Sequence, residues 1–307
     1  MKHRKKLLAT GHLGFVGTAM KEFLQGDGEH EASWCLLDKE PDVLDAAALR
    51  ATVEAFRPDW IVHLAAQSHV PSSWSDPLTT LQVNAGGTAN LLKALDDTGF
   101  TGRLLYVSSA DIYGAVPEEE LPLTEHTPPA PRNPYASSKV AGEELCRQWA
   151  RTRPLDVVIA RPFNHTGAGQ RPDFALPAFA QTVAAIKRGR QEPKILTGDL
   201  DVTRDFLDVR DVVAAYLALL ARGRSGETYN VCSGREVHLG DALRMLVELA
   251  GVRAQIETDP QRLRPSEQRR MFGDHSRLTE ATGWVPRFSL ADTLTQLLDY
   301  WMQDLDK

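Results

Sequence analysis

Cysteine is nearly absent from this 307-residue chain: Cys35, Cys146 and Cys232 are scattered, with no CxxC pair. Three unpaired, widely spaced thiols exclude a disulfide framework and a Cys-based zinc site, and they point to reduced thiols in a cytoplasmic protein. Long apolar runs are also missing. The basic opening, Lys2 to Lys6, resembles the start of a secretion signal, but only Leu7-Leu8-Ala9 follows before the glycines begin. That run is too short for a signal core, and no stretch approaches transmembrane length, so no membrane partner is expected. There is no surplus of basic charge. The net charge of −6 argues against a nucleic-acid partner. Internal repeats, low-complexity tracts and flexible linkers are lacking too. What remains, 42% hydrophobic and 25% charged residues, is an ordinary globular composition long enough to bury a large core.

The chain alternates strand-like and helix-like segments. Apolar runs at 7–10, 61–64, 104–107 and 157–160 are separated by helical patterns at 46–56, about 78–98, and from Tyr135 to about 151. Alternation of this kind predicts a doubly wound parallel α/β sheet with ligands gathered at the carboxyl ends of its strands. The first run ends in Gly11, His12-Leu13-Gly14-Phe15-Val16-Gly17 follows, and the sequence then turns helical. A strand, a glycine turn and a helix N-terminus together suit a pyrophosphate. Asp38 lies about twenty residues on, at the tip of the next apolar run, where an acid can accept hydrogen bonds from an adenosine ribose. The alternative for Asp38, an ordinary turn residue, fits its position relative to the glycines less well.

Six prolines between 117 and 134 predict an irregular loop forming one lip of the crevice. Beyond it comes Tyr135-Ala136-Ser137-Ser138-Lys139. On a helix this spacing places a phenol and an amine on one face, and an ammonium there is expected to lower a phenol pKa that starts near ~10. After residue 164 the pattern changes. The expectation is a dinucleotide-binding domain over 1–164, to which later strands return, and a mainly substrate-binding lobe over 165–307. Helix-like 174–189 and strand-like 194–197 and 203–207 belong to that second part.

The glycine turn, Asp38, Ser108-Ser109-Ala110-Asp111-Ile112-Tyr113-Gly114 and the Tyr135/Lys139 pair occur in the order and spacing of the extended short-chain dehydrogenase/reductase family, which the chain resembles over nearly its whole length. Two further stretches, Ala160 to Gly167 and Asp201 to Asp211, resemble its members that reduce GDP-linked 4-keto-6-deoxymannose; Ala168 stands where that subgroup has proline. The resemblance implies a Rossmann-type fold and NADH or NADPH as cofactor, with Asp38 favouring, or at least tolerating, NADH. It implies a GDP-sugar substrate and a homodimer built as a four-helix interface from the helices near 78–98 and from Tyr135. The apolar residues Leu78, Leu81, Leu91, Leu92, Leu95, Val140, Leu145 and Trp149 would supply that interface or else pack on the sheet.

Carried over by position, Ser109, Tyr135 and Lys139 would be catalytic, with Asp111 beside them in an open role. Gly11, Gly14, Phe15, Val16, Gly17, Asp38, Asp42, Val43, Leu64, Ala65, Ala66, Asn84 and Arg161, with Tyr135 and Lys139, would hold the cofactor. Ser109, Asn164, Arg204, Arg264 and Glu267 would meet the substrate. Arg264 competes with a solvated run that includes Arg262, Arg269 and Arg270, and is singled out by Arg-Pro-Ser-Glu. His165 is expected to be structural. The dehydratases of the family carry an acid or Ser and then Glu after the active hydroxyl. Ala110-Asp111 therefore fits ketone reduction better than dehydration. Other reactions on the same scaffold stay open, namely 4-epimerisation, 4,6-dehydration and reduction to the talose epimer. A non-catalytic dinucleotide sensor fits less well, because Ser109, Tyr135 and Lys139 are all kept.

Overall fold

The computed structural model describes residues 4–26, 32–34, 41–263 and 268–306. Asp38, Arg264 and Glu267 lie outside the described residues. The first part runs β1 (Lys5–Thr10), α1 (Phe15–Gln25), β2 (Ala32–Trp34), α2 (Ala46–Phe56), β3 (Trp60–His63), α3 (Val70–Ser75), α4 (Pro77–Leu81), α5 (Gly87–Asp97), β4 (Arg103–Val107), α6 (Pro134–Thr152) and β5 (Asp156–Pro162). It continues as β6 (Asn164–Thr166), α7 (Ala175–Lys187), β7 (Lys194–Thr197), β8 (Thr203–Arg204), β9 (Phe206–Asp208), α8 (Val209–Arg222) and β10 (Thr228–Val231). The last pieces are β11 (Val237–His238), α9 (Leu239–Ala250), β12 (Gln255–Thr258), β13 (Arg270–Met271), α10 (Ser276–Thr282) and α11 (Leu290–Asp304).

Six strands form a wholly parallel sheet in the order β2-β1-β3-β4-β5-β10. This is a Rossmann-type sheet, and its strand order reverses between β1 and β3. Pleating sends alternate residues to opposite faces. Leu8, Ile61, Leu104 and Val157 lie in register and pack with Leu49 and Val53 of α2 and Leu91, Leu92 and Leu95 of α5. Leu7, Val62, Leu105 and Val158 face the other way, onto Met20 and Leu24 of α1 and Val212, Tyr216 and Leu219 of α8. A second apolar core joins α7, α9 and α11 through Leu176, Phe179, Leu243, Leu246, Leu297 and Trp301. Although late in the chain, α8 and β10 belong to the main sheet.

Three expectations change in detail. The helix near 78–98 contains a π-helical turn at Gln82–Gly86, between α4 and α5. The run 203–207 breaks into β8 and β9. Between them the carboxylate of Asp205, wholly buried, accepts from the N–H and hydroxyl of Ser233 (2.7 and 2.6 Å) and the N–H of Gly234 (2.9 Å). A buried carboxylate must find donors, and satisfying this one bends the strand. Finally, Leu91, Leu92 and Leu95 are buried against the sheet, so they supply no outward-facing surface. Leu78 and Leu81 remain exposed, as does the neighbouring Trp74.

Candidate active site

Gly11 closes β1 with φ +75°, a left-handed conformation, and a Cβ there would sit 2.6 Å from the backbone nitrogen of Ala65, past the end of β3. A Cβ on Gly17 would sit 2.5 Å from Cα of His12. The turn therefore tolerates no side chain at either position, and the backbone of β1 runs directly into α1 across the switch point. The N–H groups of the first turn of α1, at Phe15, Val16 and Gly17, have no intrahelical acceptors. They line a cleft of about 930 Å3 together with Leu64, Ala65, Ala66, Ser109, Asp111, Tyr135, Lys139 and Asn164. Ala65 is shared with an adjoining hollow of about 550 Å3, bordered by Asp42, Val43, Asp45, Ala48 and Thr52. Asp42 accepts from the N–H of Leu44 at 2.9 Å, and Asn90 donates to the carbonyl of Val43 at 3.0 Å, so this end of the cleft is braced.

Tyr135 stands in the first turn of α6. Asn133 caps that helix by accepting from the N–H of Ala136 at 2.7 Å, and Pro134 occupies the first helical position. Ser109 lines the same cleft as Tyr135, and its Oγ accepts from the N–H of Asp111 at 3.2 Å. Burial raises the Tyr135 pKa well above its ordinary value, the carboxylate of Asp111 adds to this, and the nearby Ser109 hydroxyl acts the other way. The expected lowering by Lys139 is not found. The Lys139 ammonium donates to the carbonyl of Val107 at 2.8 Å and lies 6.0 Å from the Tyr135 ring centroid. Burial in turn pushes the Lys139 pKa down to about 8. In this apolar setting desolvation outweighs the amine–phenol attraction.

Asp111 is pushed up by burial, while the Arg204 guanidinium opposes the shift. The small lobe thus brings Arg204 into electrostatic reach of Asp111. Arg204 also donates to the carbonyls of Thr203 (2.7 Å) and Arg269 (3.3 Å). Asn164, just past β5, is exposed on the wall of the cleft. His165 holds its Nδ1 2.9 Å from the carbonyl of Phe163, stacks on Phe15, and is kept neutral by burial; it carries no charge for catalysis.

Two residues expected at the cofactor have other duties. Arg161 is buried, and its guanidinium donates to both Glu143 oxygens (2.9 and 2.8 Å) and to the Tyr113 hydroxyl (3.0 Å). Its donors are spent inside the protein, so it is a structural fork and not a cofactor ligand. Asn84, in the π-helical turn, accepts from the N–H of Gln67 (2.8 Å) and donates to the Gln67 carbonyl (3.0 Å) and the Ser138 hydroxyl (2.8 Å). It ties the loop after β3 to the helix that carries Tyr135, bracing the wall of the groove from behind. Sequence reasoning passed over Tyr216, Phe174 and Tyr300, which also line the cleft. Tyr216 sits in the apolar stripe of α8, and nothing in that pattern separates it from a core residue.

Residues 36–297 match the family model described as GDP-mannose 4,6 dehydratase. The chain belongs to the extended short-chain dehydrogenase/reductase family. It is 44% identical to the GDP-6-deoxy-D-mannose reductase of Pseudomonas aeruginosa, over 97% of each chain. It is 32% identical to the GDP-6-deoxy-D-talose 4-dehydrogenase of Aggregatibacter actinomycetemcomitans, over 92% of this chain and 93% of that one. Among solved structures, RMD from Pseudomonas aeruginosa complexed with NADPH superposes with a TM-score of 0.93 at 42% identity, covering 98% of this chain and 99% of that one. Within the family's architecture, the Ser109/Tyr135/Lys139 cluster and the glycine turn open onto one cleft.

Proposed function

We propose that this protein reduces the C4 ketone of GDP-4-keto-6-deoxy-D-mannose to GDP-D-rhamnose with a nicotinamide dinucleotide. The observation that carries the reading is the gathering of Ser109, Tyr135 and Lys139 on one cleft, with Ala110 and Asp111 following Ser109. The 44% identity to a reductase named for the same sugar supports it. The glycine turn fits a dinucleotide, since Gly11 and Gly17 leave backbone where any side chain would stand. Its α1 N-terminus takes the pyrophosphate, Asp42 and Val43 the adenine, and Tyr135 and Lys139 the nicotinamide ribose. Asp38 takes the adenosine ribose, which makes NADH at least competitive with NADPH.

A bound reduced nicotinamide supplies the hydride to C4. Tyr135 supplies the proton to the C4 oxygen. Its raised pKa keeps the phenol protonated at neutral pH, the form a donor needs. Ser109 donates a second hydrogen bond to the same oxygen and polarises the carbonyl. The Lys139 ammonium stabilises the tyrosinate left behind. General acid assistance of this kind is worth about 10²–10⁴-fold. Arg204 and Arg264 bind the substrate diphosphate, and Asn164 and Glu267 are the further substrate residues of this reading.

Dehydration would need an acid and base beyond this pair to expel the C6 hydroxyl. Ala110 carries no ionisable group, and Asp111, one methylene shorter than the Glu of the dehydratases, is the one acid beside the pair among the described residues. Reduction to the talose epimer is the second reading, motivated by the 32% identity to a talose 4-dehydrogenase. The experiment is to incubate the enzyme with GDP-4-keto-6-deoxymannose and reduced cofactor, and then to identify the sugar by NMR. Cofactor consumed one-for-one with a rhamno-configured product supports the reading. A talo-configured product moves it to the second, and no cofactor consumption overturns both. Reduced, buried Cys146 and Cys232 suit a cytoplasmic enzyme. A homodimer through Trp74, Leu78 and Leu81, beside α6, completes the reading.

A further inference from the structure

Behind the cleft runs a chain of buried polar side chains. Thr10 ends β1, His63 ends β3 and Thr88 stands in the first turn of α5; each is at most 1% exposed. Thr10 Oγ1 lies 2.7 Å from Nδ1 of His63, and Nε2 of the same ring lies 3.0 Å from Thr88 Oγ1. Both ends of the chain are backbone groups, whose donor and acceptor roles are fixed. At one end Thr88 donates its hydroxyl proton to the Asn84 carbonyl at 2.6 Å, so His63 Nε2 is the donor to Thr88. At the other end the N–H of Ala65 donates to Thr10 Oγ1 at 3.4 Å, which leaves the Thr10 proton for Nδ1. The two ends demand the same tautomer, with the ring proton on Nε2. Burial and the Lys139 ammonium push the His63 pKa down to about 3, which keeps the ring neutral.

The chain joins two parts of the site. Ala65 borders both the cleft and the adjoining hollow. Asn84 continues through its side-chain amide to the Ser138 hydroxyl (2.8 Å), which donates to the Tyr135 carbonyl (2.6 Å). Polar groups are costly in a core unless every one is satisfied, and a satisfied set holds its elements in one arrangement. We infer that His63 is a positioning residue for the reduction: through Thr10 it fixes Ala65 against the cofactor, and through Thr88 and Asn84 it fixes the helix turn that carries Tyr135. It touches neither ligand. The inference rests on the dinucleotide reading above and adds a residue that acts from behind the groove.

The test compares His63→Leu, His63→Asn and Thr10→Val in the full chain, with NADH and NADPH titrated by fluorescence well below each melting temperature. His63→Leu should bind reduced cofactor about three- to tenfold more weakly, the worth of one hydrogen bond, and lower kcat about tenfold through misplacement. The KM for GDP-4-keto-6-deoxymannose should stay within twofold, because the substrate arginines lie on other elements. His63→Asn offers an amide oxygen where Nδ1 accepts from Thr10, and should recover most of the cofactor affinity. Thr10→Val keeps the shape and removes only the hydroxyl, so it should weaken the cofactor as His63→Leu does, and it carries the test if His63→Leu fails to fold. The two changes combined should cost no more affinity than either alone, since both break one connection. A purely structural role lowers the melting temperature but leaves cofactor affinity and kcat of the folded variants within twofold, and that result overturns the inference. Additive losses in the double variant overturn it too. Failure of the wild-type protein to bind any dinucleotide brings down the proposed function, and this inference with it.

Discussion

Arg161→Met separates the two roles that residue could have, because it removes a buried charge without touching the cleft. The Glu143 side chain has no exposure and that of Arg161 has 3%. Two short bonds join them, and the remaining partner of Glu143, Arg147, is 23% exposed at 2.7 Å. Burial acts to raise the Glu143 pKa, but the Arg161 fork reverses this and holds the carboxyl below its usual range. Removing the fork strands a carboxylate in the core, and breaking a buried pair from one side costs about 3–5 kcal/mol. In a chain of this size that lowers the melting temperature by roughly 5–8 °C. Thermal and urea unfolding give the stability, and a fluorescence titration well below the transition gives the cofactor affinity. Stability should fall by the stated amount while cofactor affinity stays within twofold. The double variant with Glu143→Gln should recover much of the loss, since no charge is then left buried. A loss under about 1 kcal/mol, or clearly weakened cofactor binding by a folded Arg161→Met protein, would refute the structural assignment.

Four other outcomes are expected. Tyr135→Phe should lower kcat about 10²–10⁴-fold with cofactor affinity nearly intact, since only the transferable proton is lost; near wild-type turnover would show that the donor is another group. Lys139, charged below its pKa of about 8, should hold the cofactor less well as pH rises through that value, and Lys139→Met should flatten the dependence; a binding profile of the wild type that is level from pH 7 to 9 contradicts this. Arg204→Ala should raise the substrate KM roughly ten- to a hundredfold by deleting charge-assisted hydrogen bonds, with dinucleotide affinity unchanged and only partial rescue by Arg204→Lys; an equal loss of both ligands argues against two separate subsites. Trp74→Glu combined with Leu78→Glu should convert a dimer to a monomer by light scattering, and a wild-type monomer at micromolar concentration would dispose of the interface.

Much of the architecture is readable without coordinates because it depends on local geometry. The helix expected at 46–56 forms at Ala46–Phe56, and the strand at 194–197 at Lys194–Thr197, since side-chain periodicity is a property of neighbouring residues. The glycine turn and the Tyr135/Lys139 pair are legible for the same reason: three glycines around one corner, or two side chains a helical turn apart, need no distant partner to be recognised. Distant partners settled the rest. Arg161 reads as a cleft residue because it follows a strand end, yet Glu143, on another element, claims its guanidinium. The apolar stripe of α5 could face a partner or the sheet with the same sequence, and only the packing of α2 beside it turns Leu91, Leu92 and Leu95 inward. The raised pKa of Tyr135 comes from burial that no spacing of residues encodes. Tyr113 finds Asn230 across 117 positions of chain. The order of amino acids determined which elements form and which chemistry they carry; the tertiary structure decided which of those groups are spent on one another and which remain free to meet a ligand, because desolvation and hydrogen-bond pairing are set by neighbours that only folding brings together.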